Sequence, residues 1–154
     1  YESRGIKPVW AILDDSAYSA AYAIASAADR IVVPRTGGTG SVGVVTMHAD
    51  HSKALEGAGV AITIVTYGAR KAFGNEFNPL SKEALATIQA DVDVMGDLFV
   101  QTVARNRNLS TATVRNTQAG TYLGAAGVQI GFADAVQAPD EAFRSLVASL
   151  GTPT

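Results

Sequence analysis

Residues Pro8–Val33 read PVWAILDDSAYSAAYAIASAADRIVV. The apolar run Pro8–Leu13 ends in Asp14-Asp15, the pattern of a buried strand entering a turn. Ala20–Ala28 is alanine-rich and free of Gly and Pro, which predicts a helix whose N-terminus falls near Ser19. Ile31-Val32-Val33 then reads as a second strand, stopped by Pro34. Strand, helix and strand in immediate succession set the expectation for the rest of the chain.

Downstream, Thr36–Gly40 reads as a Gly-rich loop leading into the β-branched run Val42–Met47. A short helix over Ser52–Gly57 connects to Val60–Thr66, the most strand-like segment of the chain. Tyr67–Pro79 is rich in Gly, Pro and polar residues and predicts a loop. Ser81 is placed to cap the longest helix, where Leu85, Ile88, Val92, Met95, Phe99 and Val103 form an apolar stripe at three- and four-residue steps. Ser110 is placed to cap a shorter helix, and the chain after Gly131 predicts a small strand and a helix from about Asp140. The alternation predicts an α/β domain with a mainly parallel sheet and right-handed crossovers. Without repeat, low-complexity tract or linker, residues 1–154 are expected to form one domain. Tyr1–Gly5 resembles the end of a helix delivering the chain into its first strand, so the expectation is a chain that begins partway through a fold.

With 154 residues, 47% of them apolar, the chain can bury a sizeable core. A formal net charge of −2 argues against nucleic acid or an anionic membrane as a main partner. The absence of cysteine excludes disulfides, thiolate catalysis and cysteine-based metal sites. No apolar run approaches the roughly 18 residues of a spanning helix, and the start lacks the basic-then-apolar pattern of a signal peptide.

A serine after a strand and turn, at the first residue of a helix, suits a nucleophile. The helix start offers unpaired N–H groups and partial positive charge where an oxyanion would form. Ser19 has this context, with small neighbours Ala17, Ala20 and Ala21. On local context alone, capping is the commoner use of such a serine. A base is also needed. His48 and His51 flank Asp50, but adjacency does not make a triad, and solvated positions at the ends of a strand and a helix account for both. Of the four lysines, Lys7, Lys53 and Lys82 fall at exposed element starts. Lys71 lies in a loop after a strand, between small residues, where the desolvation that makes lysine a base could occur; a solvated loop lysine is the default. Gly38-Thr39-Gly40-Ser41-Val42-Gly43 fits the dinucleotide fingerprint G-x-G-x-x-G, yet β-branched residues follow it instead of a helix. Those glycines are better explained by a tight turn and close strand packing, so no cofactor is expected.

Taken in order, these segments resemble the signal peptide peptidase A and phage protein C family of serine peptidases, whose fold is that of the Clp protease and crotonase. The resemblance centres on Tyr18-Ser19-Ala20-Ala21-Tyr22 and Ile24–Ile31, then Gly40-Ser41-Val42-Gly43-Val44, then Tyr67-Gly68-Ala69-Arg70-Lys71-Ala72. Gly74-Asn75, Asn78-Pro79-Leu80-Ser81, Arg105-Asn106-Arg107 and Thr121-Tyr122-Leu123-Gly124-Ala125 are similar to the phage branch.

The resemblance implies repeated β-β-α or βαβ units and a Ser–Lys dyad. In it Ser19 is the nucleophile, Lys71 the general base, Ser41 the residue orienting the lysine, and the backbone N–H of Ala20 an oxyanion donor. Neither metal nor cofactor is implied. The family's upstream Gly-Gly segment, which supplies a second oxyanion donor, has no counterpart in these residues, so the chain is expected to be the C-terminal part of a catalytic domain, carrying only part of the oxyanion hole, and its activity as a separate piece is left open. The implied substrate is a polypeptide: a phage scaffold or portal protein cleaved during capsid maturation, or a membrane signal peptide. A homo-oligomer in the cytoplasm of a bacterial or phage-infected cell is implied, with membrane association only through a region outside this chain. A non-catalytic scaffold module and an acyl-CoA-binding crotonase relative are the competing expectations.

Overall fold

The computed structural model describes residues 1–151. The chain divides into two compact units, one comprising Tyr1–Gly43 and the chain from Gly96 onward, the other Val44–Met95.

In the first unit, β1 (Trp10–Ile12), β3 (Arg30–Val33) and β6 (Ala135–Val136) form a parallel sheet in the order β1-β3-β6. Trp10 lies opposite Arg30, and Val32 opposite Ala135. Ile31, Val32 and Val33 are all buried, as expected of a central parallel strand covered on both faces. A second sheet has the order β2-β4-β5, from Ala17–Tyr18, Gly38–Gly40 and Thr121–Leu123; β2 pairs β4 in parallel and β4 pairs β5 antiparallel. Successive strand pairs, β1–β2 and β3–β4, each send their first strand into one sheet and their second into the other. This is the β-β-α repetition expected, with α1 (Ala20–Ala25) following the first pair. The molecule is a mixed α/β fold with a parallel-dominated sheet.

The core of this unit joins both sheets to helices. Tyr22 of α1 packs on Phe132 with ring centroids 5.0 Å apart, and Tyr122 meets Phe132 edge-on at 5.7 Å. Val103 from α3 (Lys82–Arg107) and Val114 from α4 (Thr111–Asn116) complete the cluster. Two caps expected from the sequence are present: the Ser81 hydroxyl accepts from Ala84 N–H at 3.1 Å and that of Ser110 from Thr113 N–H at 2.9 Å. Helix α5 (Gly124–Gln129) follows β5, and α6 (Pro139–Leu150) opens on Pro139, whose fixed φ and missing N–H suit a first helical position. No helix among the described residues is long and apolar enough to cross a membrane.

The second unit holds α2 (Ser52–Gly57), a run of turns over residues 67–77, and the first half of α3. Here two expectations are overturned. Val42–Met47 and Val60–Thr66 are not strands. Their residues have the composition of strands, but a strand exists only by pairing, and no backbone amide of residues 44–49 or 61–66 donates to another backbone group among the described residues. Val45, Met47, Val65 and Tyr67 accordingly stand exposed. Conversely, the expected loop Thr36–Gly40 contains β4, whose glycines let neighbouring chains approach: a Cβ on Gly38 would lie 2.0 Å from the Tyr18 hydroxyl. Helix α1 stops at Ala25 instead of Ala28. The Ser26 hydroxyl donates back to Ala23 C=O at 2.8 Å, and the Arg4 guanidinium gathers the carbonyls of Ser26, Ala27 and Ala28.

Candidate active site

Ser19 sits between β2 and α1 with φ 53° and ψ −125°, in a region of backbone space that non-glycine residues seldom occupy. Its hydroxyl makes no capping bond, although it precedes the first helical residue. The backbone is fully engaged instead: its N–H donates to Gly40 C=O at 3.0 Å, and its C=O accepts from Ala23 N–H at 3.0 Å. The side chain is therefore the part of Ser19 left free, and the residue is exposed. Because the Ser19 amide is occupied, the next N–H group is that of Ala20, the first of the helix. It donates to no backbone carbonyl among the described residues, and Ala20 is exposed.

The bond from Ser19 to Gly40 ties the serine to a second strained point. Gly40 has φ 112°, and a Cβ there would fall 2.5 Å from Gly120 C=O. Ser41 follows with φ 55°, and its N–H donates to that same Gly120 carbonyl at 2.9 Å. Three adjacent chain segments thus meet through backbone bonds at Ser19, Gly40-Ser41 and Gly120. Ser19 and Ser41 are brought into one arrangement within the first unit.

Lys71 belongs to the second unit. It is exposed, and its ammonium forms no hydrogen bond or ion pair among the described residues. Its backbone is ordered by consecutive turns: Lys71 N–H to Gly68 C=O at 3.1 Å, Phe73 N–H to Arg70 C=O at 3.1 Å, and Asn75 N–H to Ala72 C=O at 3.2 Å. The histidines and Asp50 of the competing triad lie in this unit as well. Asp50 accepts from Ser52 N–H at 2.9 Å. Bonding from Ser52, through its side chain first and then its backbone, holds the Asp50 carboxyl below the ordinary carboxylate range. Neither histidine is hydrogen-bonded to Asp50: His48 Nε2 is 2.8 Å from Asn75 C=O, and His51 Nε2 is 4.0 Å from the Glu76 carboxylate.

What sequence reasoning missed is the role of Gly120 and of the His48–Asn75 contact. Gly120 carries no signal beyond being a glycine, because its partners are distant in the chain. The support beneath Ser19 is buried and mainly apolar. The Tyr22 hydroxyl donates to Phe132 C=O at 2.9 Å, and burial raises its pKa well above the ordinary phenol value.

Residues 2–151 match the family described as peptidase family S49. The chain is 39% identical over 131 residues to the capsid assembly protease C of Escherichia phage lambda, covering 85% of this chain and 30% of that protein. It is 36% identical over 152 residues to the head-tail preconnector protein GP5 of Enterobacteria phage P21, covering 99% of this chain and 30% of that protein. A protein of Enterococcus faecium named as a signal peptide peptidase is 31% identical over 140 residues, 90% of this chain and 41% of its own length. The chain thus spans about a third of the length of these relatives. With the match running over nearly every residue, and with an uncapped, strained serine at a helix start, the chain belongs to peptidase family S49.

Proposed function

We propose that this chain carries the nucleophile and the general base of a serine endopeptidase that works through a Ser–Lys dyad. The observation that carries the reading is Ser19 itself: a serine at a helix start with positive φ, its backbone held on both sides and its hydroxyl unused by the fold. A cap would spend that hydroxyl on the helix.

In the proposed reaction, neutral Lys71 takes the proton of the Ser19 hydroxyl as its oxygen attacks the scissile peptide carbonyl. The oxyanion accepts a hydrogen bond from Ala20 N–H. Collapse expels the amine, which takes a proton from the Lys71 ammonium and leaves an ester on Ser19. Water, deprotonated by Lys71, attacks that ester; the carboxylic acid leaves and Ser19 regains its proton. Ser41 orients the lysine amine. One oxyanion donor is worth about two to three orders of magnitude in rate, and that is the contribution proposed for the Ala20 N–H.

The name of the phage lambda relative, a capsid assembly protease, supports a polypeptide of capsid assembly as substrate; a homo-oligomer is proposed with it on the family resemblance alone. The Enterococcus faecium relative supports a second reading, cleavage of membrane signal peptides. The test is cleavage of both substrate classes by the full-length protein, with Ser19→Ala and Lys71→Ala variants. Loss of cleavage in both variants is expected, and unchanged cleavage in either overturns the dyad. Failure of Ser19 to react with a fluorophosphonate would favour a non-catalytic scaffold module.

A further inference from the structure

The segment carrying Lys71 is exposed and built from turns, yet a general base must be held in place to act. Two contacts fasten it within its own unit. His48 Nε2 bonds Asn75 C=O at 2.8 Å, and a little further along both segments His51 N–H donates to Glu76 C=O at 2.8 Å. The Asn75 side chain then organises the turn from inside. Its Nδ2 donates to Ala72 C=O at 2.7 Å, and its Oδ1 accepts from Phe77 N–H at 3.0 Å and from Asn78 Nδ2 at 3.2 Å. Ala72 is the residue directly after Lys71. His48 and Asn75 are both half-buried, while Lys71 is exposed.

From this geometry we infer that His48 and Asn75 form a latch that fixes the Lys71 segment, with His48 a positioning residue for the reaction. The inference rests on the Ser19–Lys71 reading for its catalytic consequence, and on the hydrogen bonds alone for its mechanical one. The ring acts as a donor at Nε2 toward a backbone carbonyl. Glutamine, whose Nε2 reaches a similar position, can replace it; alanine and leucine cannot. One neutral hydrogen bond shifts a local opening equilibrium about 3–10-fold.

The experiment uses the full-length protein and two readouts. The first is phosphonylation of Ser19 by a fluorophosphonate, in which the hydroxyl oxygen displaces fluoride from phosphorus, with the inactivation rate constant separated from the binding constant. His48→Ala is expected to slow inactivation about 3–10-fold with binding unchanged, and His48→Gln to restore most of it. The second is trypsin cleavage after Arg70 and Lys71 under native conditions, expected to rise by a similar factor in His48→Ala and in Asn75→Ala, and to return in His48→Gln. Wild-type behaviour of His48→Ala in the trypsin readout overturns the latch. So does failure of glutamine to restore it, since the ring's bulk and not its bond would then matter. If Lys71→Ala is phosphonylated at the wild-type rate, the dyad fails, while the trypsin readout still decides the latch. Should His48→Ala unfold, His48→Leu carries the test, because it keeps side-chain bulk while removing the bond to the Asn75 carbonyl, and wild-type trypsin sensitivity in it overturns the latch.

Discussion

The amide of Ser19 donates to the carbonyl of Gly40 at 3.0 Å, so the strained serine is held by the peptide that leads into Ser41. This bond gives Gly40 a consequence beyond its own strand. A Gly40→Ala substitution puts a side chain at φ 112° and a Cβ 2.5 Å from Gly120 C=O. A stability loss of about 2–4 kcal/mol is expected, with fluorophosphonate labelling of Ser19 reduced further than the stability loss explains. Gly96, inside α3 with open space where a Cβ would stand, is the contrast: Gly96→Ala should gain up to about 1 kcal/mol. Urea denaturation of both variants checks the pair.

Arg107 and Asp134 close the sheet of the first unit. Asp134 accepts from Arg107 at 2.7 and 3.0 Å and from the amide of buried Ile31 at 2.6 Å, while Arg107 Nε donates to Gly131 C=O at 3.0 Å. Asp134→Ala strands the Ile31 amide and should cost about 2 kcal/mol, read as a shift in urea midpoint.

The same pair sets an acid dependence. Burial works to raise the Asp134 pKa, but the bonds from Arg107 and Ile31 outweigh it and hold the carboxyl below its ordinary value. A depressed folded value means that the stabilisation is fully present above the unfolded pKa of about 4 and is lost as pH falls through it toward the folded value. Stability curves taken from near neutral pH into acid should therefore fall less steeply for Asp134→Asn than for the wild type.

Ser26 and Asn106 are both buried and linked: Asn106 Nδ2 donates to Ser26 Oγ at 2.9 Å, and that hydroxyl donates to Ala23 C=O. Ser26→Ala leaves the Asn106 amide without this partner and should cost about 1–3 kcal/mol. A double-mutant cycle with Asn106→Leu should return a coupling of about 1 kcal/mol or more; additivity would show the contact to be energetically idle.

Residues 44–49 and 61–66 offer a direct check on the second unit. Their amides have no backbone partner among the described residues, so hydrogen exchange should proceed within about tenfold of an unstructured peptide. Amides of β3 should exchange at least about a thousandfold more slowly. Comparable protection in the two regions would contradict the unpaired state.

Much of the fold was legible because its signals are local. Buried Ile31–Val33, the caps Ser81 and Ser110, and the proline opening α6 follow from periodicity, hydroxyl chemistry and fixed φ, each contained within a few residues. The strand reading failed at Val42–Met47 and Val60–Thr66 because composition reports a preference, while a strand also requires a partner. It failed in the other direction at Gly38–Gly40, where glycines that look like a loop are what close packing against Tyr18 demands.

By itself the sequence determined the α/β class, the family, and a serine at the start of a helix with Lys71 and Ser41 in order behind it. It left the use of the Ser19 hydroxyl open, because cap and nucleophile share one local pattern. The tertiary structure decided that the hydroxyl is not a cap, since the backbone angles at Ser19 depend on Gly40, and those at Gly40 on Gly120. A constraint that passes between residues so far apart in the chain exists only once the strands have paired.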